Sequence, residues 1–145
     1  MKHSAIGFVM GALAAMLLVS CATPSRGAVV FTENIKAAQA KATKENKIVM
    51  IDVYTEWCGW CKKLDADVYS RKDVADAVSK GFVALKVNPE KNAANKKFVD
   101  QFKVDGFPAI IFLNAKGKEI HRIRGYVPAP DFLKELKTAQ SKAKG

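Results

Sequence analysis

Cys58 and Cys61, separated by Gly59 and Trp60, are the residues whose type and spacing carry chemistry most directly in this chain. Two cysteines three positions apart at the start of a helix lie within one turn and can close on each other as a disulfide. The positive end of the helix dipole stabilises a thiolate on the first of them. Cys58 is therefore the expected nucleophile. Cys61, one turn further in and less exposed, is expected to resolve a mixed disulfide formed at Cys58. Competing uses of the spacing are weaker. Structural zinc takes four ligands, and the further candidates are His3 and His121. Covalent haem attachment places His directly after the second Cys, where this chain has Lys62. A purely structural bridge over so short a loop constrains little of the unfolded chain. No metal and no cofactor are expected.

The third cysteine belongs to a different pattern. Met1, Lys2 and His3 precede an almost uncharged run over residues 6–19, which ends in Leu18, Val19, Ser20 and Cys21. The run falls short of the roughly 20 apolar residues that span a bilayer and has the layout of a secretory signal. Its last four residues resemble the lipobox of bacterial lipoproteins, in which the peptidase cuts before a Cys that carries the lipid. Residues 1–20 are thus expected to be a signal peptide, with Cys21 lipidated. Residues 21–28, small and turn-prone, read as a tether. Acyl chains contribute about 0.8 kcal/mol per buried methylene, so the protein is expected to sit on a membrane facing the periplasm. Ala22 after the Cys favours the outer membrane if the envelope is Gram-negative. Acylation of Cys21 also leaves one cysteine pair in a compartment where disulfides persist.

With 145 residues and 49% hydrophobic content, the chain has the core for one domain, expected over 29–145. The formal charge of +10 comes mainly from lysines such as Lys36, Lys41, Lys96, Lys134 and Lys142, spread along helical stretches without interleaved aromatics. An exported chain with that pattern is not expected to bind nucleic acid, and solvated helix faces account for most of the excess.

The elements that must position the cysteines follow from local pattern. Residues 29–31 suggest a short edge strand, and 33–47 a helix with Thr32 as its cap. The β-branched run 48–54 reads as a buried central strand interrupted by one acid, Asp52. A helix from Cys58 toward residue 68 follows, then a helix at 71–80. A strand at 82–87, a helix at 90–102, and strands at 109–113 and 120–124 around a turn at Gly117 come next. A helix at 130–142 with Pro130 in its first turn ends the domain. The order predicts an α/β fold with a mixed sheet of four to five strands and helices on both faces.

Asp52-Val53-Tyr54-Thr55-Glu56-Trp57-Cys58-Gly59-Trp60-Cys61-Lys62 resembles the active-site segment of thioredoxins. Gly106-Phe107-Pro108-Ala109 resembles the family's cis-proline segment, and Lys86-Val87-Asn88 its central strand end. The resemblance covers about residues 29–138. It implies the thioredoxin fold and several site roles. Asp52 falls where the family keeps a buried carboxylate that relays a proton to the second cysteine, and Lys86 where a lysine faces it. Pro108 matches the cis-proline against the disulfide. Trp57, Gly59, Trp60 and Phe107 surround the pair and are expected to meet the substrate.

Trp60 stands where cytosolic thioredoxins carry Pro, which leaves the direction of electron flow open. The wider match, through Lys62-Lys63-Leu64 and Val68-Tyr69-Ser70, is to the C-terminal domain of DsbD-type transmembrane reductases. That resemblance implies a protein-disulfide reductase, acting on protein disulfides and recharged by a membrane electron donor of DsbD type; a monomer is expected. A disulfide oxidase or isomerase, and a client-binding lipoprotein of the same fold, remain as alternatives.

Overall fold

The computed structural model describes residues 27–144. The expected signal peptide, the lipidation site at Cys21 and most of the tether lie outside them. Helix α1 (Ile35–Glu45) is followed by β1 (Ile48–Val53), α2 (Gly59–Leu64) and a π-helical turn at Asp65–Tyr69. Then come α3 (Lys72–Gly81), β2 (Phe82–Val87), α4 (Ala93–Asp100), β3 (Ala109–Leu113), β4 (Glu119–Arg124) and α5 (Ala129–Ala143). The four strands form one sheet in the order β2-β1-β3-β4. β2 runs parallel to β1, and β3 and β4 run antiparallel to their neighbours. The expected first strand is reduced to one bridge, Thr32 beside Leu85 on the outer edge of β2.

Every residue of β1 is buried, as a central strand covered on both faces requires. Side-chain alternation assigns those faces. Val49, Ile51 and Val53 join Ala38 and Ala42 of α1 and Phe98 and Val99 of α4. Ile48 and Met50 face the other way, with Leu64 of α2, Val74 and Val78 of α3, and Phe132 and Leu136 of α5. Asp52 continues the Ile48, Met50 row, and Lys86 continues the Phe82, Ala84 row of β2. The two are register partners across the parallel pair. Strand period alone therefore brings the acid and the lysine side by side under α2.

Local chemistry explains where the elements start and stop. The cap of α1 is Asn34 and not Thr32. Asn34 Oδ1 accepts the N–H of Ala37 at 2.9 Å, while the Thr32 hydroxyl accepts the N–H of Asn34 at 3.1 Å. Both residues are good cap formers, and the second position wins because its carbonyl also accepts the first helical bond, from Ala38. α4 likewise starts later than the sequence suggests, capped by Asn92. The helix after Cys58 is not continuous, since Ser70 N–H reaches back five residues to Asp65 O at 3.2 Å. Gly117, at φ 78°, takes the left-handed position in the β3–β4 turn.

Candidate active site

Cys58 is the N-cap of α2, and its sulfur accepts the backbone N–H of Cys61 at 3.1 Å. The two cysteines are joined as a disulfide, with their Cα atoms 5.3 Å apart. Cys58 is 5% exposed and Cys61 3%, so the contrast in exposure expected between them is slight while the pair is oxidised.

The outer rim of the site is aromatic. Trp57 and Trp60 are 68% and 59% exposed, against a background of buried apolar side chains. Trp57 meets Phe107 edge-on at 5.8 Å, and its indole N–H donates to both carboxylate oxygens of Glu90 at 3.1 Å. Glu90 is placed in turn by its own N–H, which donates to the buried Asn88 at 2.8 Å. Trp60 lies at 5.6 Å from Tyr126, whose hydroxyl donates to Asp67 at 3.3 Å and whose ring has the Lys63 ammonium 5.5 Å from its centroid. The Phe107–Pro108 peptide bond is cis. Pro108 is buried, and its carbonyl accepts the N–H of Gly125 at 2.9 Å. Gly59 is exposed, and a Cβ built there meets nothing within 4 Å, so no close approach demands glycine at that position.

The inner side is ionic and runs from the buried Asp52 through Lys86 to the more exposed Asp65. Asp52 is 1% exposed, and its Oδ2 lies 3.5 Å from the Lys86 ammonium. Lys86 also pairs with Asp65 from the π-helical turn. Burial pushes the Asp52 carboxyl up from 3.8 to about 7. The charge of Lys86 opposes that shift, and the charge of Asp65 adds to it. Asp52 Oδ1, the Thr55 hydroxyl and the Tyr69 hydroxyl are buried without a protein hydrogen-bond partner among the described residues. The Tyr69 phenol is pushed well up, by burial first and by the charges of Asp52 and Asp65 after it. A carboxyl poised near neutrality with one free oxygen can take and return a proton at physiological pH.

The sequence residues thus come together in two sets. Trp57, Trp60 and Phe107 lie on the rim, and Asp52 and Lys86 lie beneath. Asp65, Glu90 and Tyr126 complete the sets, and none of the three follows from the cysteine spacing itself. Asp65 carried a signal, because it lies four residues after Cys61 and so on the same helical face. His121, the described histidine, lies away from the cysteine pair among groups of β3 and α5. Its ring stacks on Phe112 at 5.6 Å and contacts Glu135 and Lys142.

Comparison with known proteins agrees with this geometry. Residues 35–140 match the model of the thioredoxin-like domain family, and the chain belongs to that family of disulfide oxidoreductases. The thiol:disulfide interchange protein DsbD of Pasteurella multocida is 34% identical over 118 residues, which make up 75% of this chain and 20% of that protein. The chain thus spans about one fifth of the length of this curated relative. Among solved structures, a thioredoxin from Thermus thermophilus superposes with a TM-score of 0.72 at 25% identity, covering 81% of this chain and 91% of that one. The C-terminal domain of Neisseria meningitidis DsbD in its reduced form gives 0.60 at 26% identity, covering 72% and 92%.

Proposed function

We propose that the chain is a thiol–disulfide reductase of the cell envelope, held at a membrane by a lipid on Cys21 and recharged by a membrane electron donor of DsbD type. The observation that carries the reading is the buried Asp52 paired with Lys86 on the face of the sheet that α2 covers. In the reduced protein the Cys58 thiolate attacks one sulfur of a substrate disulfide. That S–S bond breaks, the other substrate sulfur leaves as a thiolate, and a mixed disulfide with Cys58 forms. Asp52 accepts the proton of the Cys61 thiol, and the Cys61 sulfur attacks Cys58. The second substrate thiolate is released, the Cys58–Cys61 bond closes, and two electrons have passed to the substrate. The aromatic rim supplies a surface on which an extended partner segment can lie beside the disulfide.

Trapping tests the scheme. A Cys61→Ala variant is expected to accumulate clients as mixed disulfides through Cys58 that dissolve in dithiothreitol. The double variant Cys58→Ala, Cys61→Ala is expected to hold none. Equal client recovery by the double variant would support a binding role in place of exchange.

A further inference from the structure

The Lys86 ammonium lies among three aromatic rings, 5.0 Å from the centroid of Tyr54, 5.2 Å from Phe31 and 5.7 Å from Tyr69. Tyr54 directly follows β1, and Tyr69 closes the π-helical turn. Phe31 comes from elsewhere. It lies in the segment before α1, ahead of the residues 35–140 that the family model matches. Three backbone bonds fix that segment. Thr32 N–H donates to Ala84 O at 3.0 Å, Lys86 N–H to Thr32 O at 2.9 Å, and Val29 N–H to Tyr69 O at 2.8 Å. The Phe31 ring meets Tyr69 edge-on at 4.9 Å and packs against the apolar cluster on the face that holds Asp52. β2 is an edge strand, and among the described residues its outer side pairs with this segment and with no other strand.

We propose that Phe31 is a positioning residue for the proton relay, roofing the Asp52 and Lys86 pair at the open edge of β2 so that water does not reach the carboxyl. The reason lies in solvation. An ionised carboxylate loses its hydration when buried, and that loss holds the proton on Asp52; a gap at the edge restores hydration to the charged form. The ring also favours the ammonium beside its two carboxylates, because an aromatic face attracts a cation. The charged and titratable groups around Lys86 are Asp52 on β1, Asp65 and Tyr69 on the π-helical turn, and Tyr54. Glu33, paired with Lys91, and Glu56 act on Tyr54 from the flank. None of these is changed by a substitution at Phe31.

The inference deepens the reductase reading and rests on its relay. Its test is separate, since it follows Asp52 in the oxidised protein, where no electrons move. Asp52 is titrated through its side-chain carboxyl carbon resonance in the wild type, Phe31→Ala and Phe31→Leu. The midpoint is expected to fall by ~1 pH unit in Phe31→Ala, and to stay within ~0.3 unit in Phe31→Leu, which keeps an apolar roof. Should Phe31→Ala not fold, Phe31→Val carries the same comparison with a smaller fall. An unmoved midpoint in the smaller variant, or an equal fall in Phe31→Leu, would overturn the proposal.

Discussion

The two sides of the Cys58–Cys61 bond are built from opposite materials. Outside stand Trp57 and Trp60, more than half exposed, each leaning on one aromatic neighbour and tied to a carboxylate directly or through it. Inside lie the buried Asp52 and the partly buried Lys86, with the more exposed Asp65 competing for the lysine. Meeting a partner and moving a proton place contrary demands on solvation, since one needs apolar surface in water and the other needs charge out of it. Dividing the demands between two sides lets each be altered with little effect on the other, and substitutions on either side measure how complete the division is.

The largest effect is expected inside. A carboxyl whose pKa is raised from 3.8 to about 7 on folding keeps a proton that the unfolded chain has already released between those values. Stability contributed by this group therefore falls as the pH rises from about 4 to about 7. A rise of roughly three units corresponds to about 4 kcal/mol at alkaline pH. Asp52→Asn is expected to be more stable than the wild type at pH 8.5, by up to that amount, with the gain vanishing near pH 4. Urea unfolding at the two pH values checks this, and a less stable variant at pH 8.5 would show that the attraction of Lys86 outweighs burial.

Next come the partners of Asp52. Lys86→Met removes the charge that opposes burial, so the Asp52 midpoint is expected to rise by ~1 unit. Asp65→Asn removes a repelling charge and leaves Lys86 to Asp52 alone, so the midpoint is expected to fall. Shifts of the same sign in both would break the assignment of Lys86 as a shared partner. On the rim, Trp60→Ala is expected to change stability by less than about 1 kcal/mol while raising KM for a protein disulfide ~10-fold with kcat unchanged. A loss of kcat alone would place Trp60 with the inner set. Gly59→Ala should be smallest of all, within about 0.5 kcal/mol by thermal unfolding, because a Cβ there has open space.

Much of this was legible in the chain. Asp52, Trp57, Cys58 and Cys61 fall in one short run, where strand period and helix start fix their relation locally. Lys86 became legible through the resemblance, and the structure accounts for its place by parallel register with Asp52. What stayed hidden depends on the third dimension. Asp65 shares a helical face with Cys61, but that it meets Lys86, while Asp67 on another face of the same stretch meets Lys63 and Tyr126, shows only in the folded chain. Glu90 looks like an ordinary loop acid until the indole of Trp57 is seen against it. Phe31 suggests a fragment of an edge strand, and only the closing of that edge brings its ring over Lys86.

The most direct test of the reductase reading is the equilibrium potential of the Cys58/Cys61 pair, measured against a glutathione or thioredoxin buffer. Related folds range from about −270 mV for thioredoxin to about −120 mV for DsbA, a span of roughly 7 kcal/mol. A reducing role predicts a value in the lower half of that range, below about −200 mV. A value near or above about −120 mV would contradict it and assign the pair to disulfide formation.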